Sequence, residues 1–248
     1  MAWYAYCITE QQAFHGDSRA RRPFPIEEMR GINGAQVFGY PSGEFAVIVS
    51  EYTSNGSITQ AAARDHARVV SSCFERTTVL PFRFGTVFEN DEALRRAVRG
   101  NRKQFMASVS KLRGKAEMHV KVVVKEGIML REAMQEFEMP KGTGGLYLTQ
   151  LREQASRQRS RQTKARALSM QVNKLLHPLE EEVSLRRTEE GRMSLDIAHL
   201  IDHSSLEKYH NRFNSASAQI KGCDLVVSGP WPPYHFMPVK LRTVNGNS

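Results

Sequence analysis

Cysteine and tryptophan are scarce in this chain, with three and two among 248 residues. Cys7, Cys73 and Cys223 are odd in number and far apart, which argues against a disulfide framework. Each stands in an apolar pattern, so buried free thiols in a reducing compartment are expected. CxxC pairs are missing, and with them the usual signature of a structural zinc or redox site. No apolar run approaches the roughly 20 residues needed to cross a bilayer. The opening MAWYAYCITE has no basic region ahead of its apolar residues, so it is not expected to act as a secretory signal.

Catalytic signatures are missing too. The run KGTGG at Lys141–Gly145 precedes a helical pattern but lacks the order in which GK[ST] closes a phosphate-binding loop. It reads as a hinge and helix cap. His199 and His203, with Asp196 and Asp202 nearby, resemble a metal cluster at first sight. Strand phase places His199 on the face of Leu195, Ile197 and Ile201, while His203 lies past the strand end, so the ligands do not converge. His66 sits on an apolar helix face, and both it and His199 are expected to be structural. Nucleophile elbows and Cys/His partnerships at interpretable spacing are also missing. The expectation is a protein that is not an enzyme, with no cofactor and no metal.

Acid is nearly absent from two windows. Arg95–Lys115 holds eight Lys/Arg and no acid, and Arg152–Lys174 holds seven against Glu153 alone. These windows contribute +8 and +6 to a net charge of +9, so the rest of the chain is mildly acidic. Such faces are either solvated or meet a polyanion or an acidic protein.

What is present is a regular alternation of periods. Trp3–Thr9 reads as a strand with Trp3, Ala5 and Cys7 on one face and Tyr4, Tyr6 and Ile8 on the other. Gln11–Gly34, broken by prolines and glycines, reads as a long loop with one helical turn near Ile26–Arg30. Ala35–Tyr40 and Glu44–Tyr52 flank Pro41-Ser42-Gly43 as a hairpin, and the continuous apolar FAVIVS predicts a central strand covered on both faces. Ala62, His66, Val69, Val70, Cys73 and Phe74 recur at helical spacing. From Thr77 the period becomes two, with Leu80, Phe82, Phe84 and Phe88 on one side and an interruption at Pro81. Asp91 is read as the cap of one helix to about Leu112, and Met118, Val120, Val122 and Val124 line a further strand. Gly127–Pro140 reads as a short helix. A helix of some 35 residues follows, capped by Thr143 and ended near His177 by Pro178, anchored at its apolar ends and exposed between. A hairpin around Glu189-Glu190-Gly191, a helix opened by a Ser204/Glu207 capping box, and a last strand at Cys223–Ser228 complete the order.

From Ala116, allowing for the extra helix before Thr143, the order is β-α-β-β-α-β, the ferredoxin-like pattern. The N-terminal half repeats it with its first helix reduced to a loop. The predicted fold is α+β: two ferredoxin-like modules, 1–114 and 115–248, the second with a long exposed helix and a GPWPPY tail.

Two groups of residues stand out for recognition. Phe82, Phe84 and Phe88, with Arg83 among them, form either a core face or a docking face. Trp231 and Tyr234, held between Pro230, Pro232 and Pro233, either pack the tail or present rigid ring surface to a partner. A basic nucleic-acid-binding module is the alternative function, since ferredoxin-like sheets carry RNA-recognition motifs. The nearest candidate strand, Arg83-Phe84-Gly85-Thr86-Val87-Phe88, has the wrong residue order for that motif.

The run DHARVV…FERTTVLPFRFGTVFEND resembles the central motif of the gas vesicle protein F/L (GvpF/GvpL) family, and GPWPPY at Gly229–Tyr234 resembles its C-terminal motif. GINGAQVFGYPSGEFAVIVSE and EMHVKVVV match in family order. The resemblance implies a non-enzymatic, cytoplasmic accessory or minor structural protein of gas vesicles. It would bind the small hydrophobic shell protein, and other accessory proteins, and assist nucleation and assembly of the wall. Membrane and nucleic acid are not expected partners. On this reading the partner-binding residues are Phe82, Arg83, Phe84, Phe88, Trp231, Pro232, Pro233 and Tyr234.

Overall fold

The computed structural model describes residues 1–13, 26–53, 59–125, 143–187 and 193–237. The fold is α+β with two antiparallel sheets. The chain divides into two compact units, Met1–Ala116 joined by the chain from Trp231, and Glu117–Pro230. The division falls two residues past the boundary expected at 114. The tail, expected with the C-terminal module, groups instead with the N-terminal unit. Its Pro232, Pro233 and Phe236 are buried.

In the first unit, β1 (Ala2–Glu10) lies at the centre, paired with β3 (Phe45–Tyr52) on one side. On its other side are two short strands, β4 (Val79–Pro81) and β5 (Val87–Phe88). β2 (Val37–Ser42) completes the order β2-β3-β1-β4. The β2–β3 turn is Gly43-Glu44, two residues later than expected, with Ser42 opposite Phe45 and Gly43 at φ +66°, a value that favours glycine. β1 carries a bulge between Ala5 and Cys7. The bulge shifts its side-chain phase, so Cys7 joins Tyr4 and Tyr6 in one core cluster rather than Trp3 and Ala5 as expected.

Helix α1 (Gln60–Phe74) covers that face with Ala62, His66, Val69, Val70 and Cys73, capped by the Thr59 hydroxyl accepting from Ala62 N–H. Ile26 and Ile32, each in a short 3₁₀ turn, pack into the same cluster. The basic segment forms two helices, α2 (Asp91–Gly100) and α3 (Arg102–Leu112), not one. Their cap is Asn90, whose side chain accepts from Ala93 N–H, rather than Asp91. The break falls at Gly100-Asn101, where the Asn101 amide donates to the Ala97 carbonyl and competes with helix continuation. Leu94, Val98, Phe105, Val109 and Leu112 are buried, as their spacing predicts, with Phe105 edge-on to Phe45.

The second unit has the strand order β7-β8-β6-β9. Its strands are β6 (Lys115–Val124), β7 (Glu180–Arg187), β8 (Met193–Asp202) and β9 (Cys223–Trp231). Helices α4 (Thr143–Leu176) and α5 (Leu206–Gln219) share its core with Met118, Val120, Val122 and Val124. At 1.5 Å per residue α4 is about 50 Å long. Among its described side chains, Ala165, Ser169, Val172 and Leu176 are buried, while Ala155 and Gln158 are exposed. The expected anchor near Leu148 and Leu151, the Gly127–Pro140 helix and the Glu189–Gly191 turn lie outside the described residues or side chains. α4 stops where His177 adopts φ +51° ahead of Pro178. The Ser204/Glu207 capping box does not form. His203–Ser205 is a 3₁₀ turn, and Ser205 makes no side-chain cap to α5. The last strand runs on to Trp231, past the expected end. At Gly229, with φ +127°, an added Cβ would meet the Glu117 carbonyl at 2.8 Å.

Candidate functional site

The motif around Pro81 does not make one strand. β4 and β5 both pair with β1, Cys7 opposite Pro81 and Trp3 opposite Phe88, and between them the edge chain makes an excursion at Phe82–Thr86. Phe82 N–H donates to the Tyr6 carbonyl at 2.9 Å and Ala5 N–H to the Thr86 carbonyl at 3.0 Å, so both ends are tied to β1 beside its bulge. Thr86 closes the turn, its N–H and hydroxyl both donating to the Arg83 carbonyl at 3.1 and 2.7 Å. Gly85 at φ +86° supplies the left-handed step that most side chains resist.

Beneath the turn lies a buried polar chain. The Phe82 carbonyl can only accept, so His66 Nε2 carries the proton and donates to it at 3.2 Å. His66 Nδ1 then accepts from the Tyr4 hydroxyl at 2.9 Å, and the Tyr4 oxygen accepts from Gly85 N–H at 3.1 Å. Every member is partnered. Burial pushes His66 down to about 4, against the opposing bond to Phe82, and pushes Tyr4 up to about 12. The imidazole is therefore neutral at physiological pH, and it serves structure, as its helix position predicted.

The three phenylalanines differ. Phe82 is 1% exposed and edge-on to Phe88 at 6.0 Å, while Phe88 is half-buried. Phe84 is 36% exposed and stands against the edges of His66 (5.7 Å) and Tyr4 (6.4 Å). A shared face was expected from strand alternation; the excursion breaks the alternation and turns Phe84 outward with Arg83. Val87, outside the expected set, is exposed next to them. Because these residues line a turn, no row of rings forms on a sheet face as base stacking would need.

In the tail, Trp231 is 43% exposed and Tyr234 is also exposed, whereas Pro232 and Pro233 are buried. The prolines thus anchor and the rings face outward. Both groups belong to the first unit.

The basic face of α2 and α3 is tied to its surroundings. Arg95 donates to the Tyr40 hydroxyl at 2.7 Å and lies over its ring, Arg96 pairs with Glu92, Arg102 with Glu44 and Arg113 with Glu10. The Arg102 hydrogen bonds hold Glu44 down to about 2. Arg95, Arg99 and Arg102 line a cleft of about 620 Å³ with Phe45 and Val98.

The histidine–aspartate cluster of β8 does not converge. His199 is buried and shares a 2.6 Å hydrogen bond with the Tyr209 hydroxyl, while Asp196 pairs with Arg186 at 3.1 Å. Cys7 and Cys73 are buried free thiols as expected, and Cys223 is half-buried. No described helix is long and apolar enough to cross a membrane.

The family model described as "Gas vesicle synthesis protein GvpL/GvpF" matches residues 2–238. Gas vesicle protein L of a Streptomyces species (strain CB03234) is 27% identical over 192 residues, covering 74% of this chain and 71% of that one. Gas vesicle protein F1 of Halobacterium salinarum is 21% identical, covering 96% and 93%. Among solved structures, GvpF from Anabaena sp. PCC7120 superposes with a TM-score of 0.72 at 20% identity, covering 96% of each chain. GvpF from Microcystis aeruginosa gives 0.67 at 20% identity, covering 96% and 99%. The two antiparallel sheets therefore sit in a shared fold, and the chain belongs to the gas vesicle synthesis protein GvpL/GvpF family.

Proposed function

We propose that this protein is a non-enzymatic accessory or minor structural protein of gas vesicles, working in the cytoplasm and on the vesicle itself. It binds the small hydrophobic shell protein, alongside other vesicle accessory proteins, and assists nucleation and assembly of the wall. One observation carries the reading: the family motif builds a turn that lifts Arg83, Phe84 and Val87 into solvent on a fully hydrogen-bonded base. Presenting apolar surface rigidly avoids ordering cost on binding. A shell subunit before assembly has apolar surface and open strand edges to cover, and rings of this kind suit it. Trp231 and Tyr234 add a second aromatic group beside the buried Pro232 and Pro233, and Phe82 and Phe88, edge-on to one another, belong to the first group. Each sheet is a ferredoxin-like module on this reading, as its strand order supports, with the chain dividing between them near 114–116. The acidic and aromatic partners of Arg95, Arg96, Arg102 and Arg113 favour a solvated charged face over nucleic-acid binding.

Capture of purified shell protein by immobilised Phe84→Ala and Trp231→Ala variants tests this. Aromatic anchors contribute ~2 kcal/mol or more at interface centres, so each variant should lose most of its capture while keeping its melting temperature. Undiminished capture by both variants, or loss only in proportion to unfolding, would sink the assignment.

A further inference from the structure

The two sheets offer four outer edges, and three are blunted. β2 carries Pro41 and Gly39, the β4/β5 edge is broken by its excursion, and β9 carries Pro230, which has no N–H to donate. β7 is different. It runs eight residues, EEEVSLRR, without proline, glycine or bulge, and pairs with β8 in unbroken register from Glu180↔Leu200 to Arg187↔Met193. Among the described residues no strand lies on its outer side. Val183 and Leu185 stand opposite Ile197 and Leu195, which belong to the helix-side core, yet they are 39% and 42% exposed. The apolar face of this sheet thus continues past what its own helices cover.

The charge order of β7 says what fits there. Three glutamates open the strand and two arginines close it. An antiparallel copy of the same strand places one set opposite the other. Side chains must stay on matching faces of a continuous sheet, so residues of equal parity pair across a two-fold axis. The register centred on Ser184 meets this condition. Glu182 then lies opposite Arg186 of the second copy, Val183 opposite Leu185, Ser184 opposite Ser184, and position 181 opposite 187. Each contact occurs twice except the central serine pair. Opposite charges and apolar pairs directly across antiparallel strands are the favourable combinations, and an isologous interface needs such self-complementarity.

We propose that β7 is a homodimerisation edge: a second copy of this chain pairs β7 to β7 antiparallel about Ser184, joining the two four-stranded sheets into one of eight. Glu182–Arg186 pairs and Val183–Leu185 contacts select the register. This goes beyond shell-protein binding and does not depend on it, since Arg83, Phe84, Trp231 and Tyr234 lie in the other unit.

A cysteine cross-link reads the register directly. In a Cys223→Ser background, Ser184→Cys should form a disulfide-linked dimer under diamide, the two thiols giving up two protons and two electrons to the reagent. Val226→Cys, exposed on the opposite edge strand, serves as the control and should stay monomeric. Sedimentation equilibrium of the otherwise native chain should show a concentration-dependent dimer. Val183→Lys/Leu185→Lys, which sets lysines opposite each other, should raise its Kd at least about tenfold with an unchanged circular dichroism spectrum and melting temperature. A chain that is monomeric alone and uses β7 only to capture shell protein overturns the proposal. So does equal cross-linking at Val226→Cys, or a dimer indifferent to the lysine pair.

Discussion

Each unit is built over one buried histidine bonded to one tyrosine, and the two pairs end differently. In the first, His66 has partners on both ring nitrogens, Tyr4 and the Phe82 carbonyl, and the chain continues to Gly85 N–H. In the second, His199 meets Tyr209 through Nδ1, but its Nε2 has no hydrogen-bond partner among the described residues. A Glu181 carboxylate oxygen lies 3.9 Å away, beyond hydrogen-bond reach. A complete buried network fixes geometry, while an incomplete one holds a desolvated group at a cost. The complete network lies under the outward turn. The incomplete one lies beside the edge strand β7.

The largest expected effect separates the parts of the first network. Phe82→Ala keeps the carbonyl that accepts from His66 but empties a buried ring site, costing about 3–5 kcal/mol. Phe84→Ala, at a third-exposed position, should change stability little. Denaturant unfolding of the two variants checks this, and equal losses would mean that the turn is core after all.

Acid comes next. Both histidines are held down to about 4 by burial, below the ordinary value of about 6.5. The unfolded chain takes up these protons first, so stability is full above pH 6.5 and declines as pH falls toward 4. A shift of this size corresponds to about 3 kcal/mol for each buried ring. Protonated His199 has Glu181 within a short side-chain movement, so the second unit should lose less than the first. Hydrogen exchange of β1 and β8 amides at pH 7 and 4.5 reads the two losses separately. An NMR titration midpoint of His66 near 6.5 would remove the basis of the comparison.

A smaller effect sharpens it. Tyr4→Phe strands the buried His66 Nδ1, at about 1–3 kcal/mol for a buried group left without a partner, and also removes the acceptor of the part-buried Gly85 N–H. Tyr209→Phe strands only His199 Nδ1. Thermal melts should therefore show the larger loss for Tyr4→Phe, together with faster exchange of the Gly85 amide. The reverse order would mean that Tyr209 supports more of its unit than its one bond suggests.

Much of the architecture was readable wherever a single period ran unbroken. The inner face of α1, the alternation Met118–Val124, the Tyr209–Phe213–Ala216–Ile220 stripe of α5 and the doubly covered FAVIVS strand all follow from side-chain spacing. Phase changes were not readable. The bulge at Ala5–Cys7 moved Cys7 to the other face, Gly100-Asn101 split a helix, and the excursion at Phe82–Thr86 parted three phenylalanines that alternate in sequence. The outward Arg83 and Phe84 were legible as residues of interest, but their separation from Phe82 was not.

The sequence by itself determined the order of the elements, the faces they bury, the structural placement of the two core histidines and the family motifs, because periodicity and composition are local properties. The tertiary structure alone decided the bulge, the outward turn, which nitrogen of His66 carries the proton, and the grouping of the GPWPPY tail with the first unit. These depend on which backbone carbonyls and amides meet across strands far apart in the chain. Hydrogen-bond partners at such separations leave no mark in residue spacing.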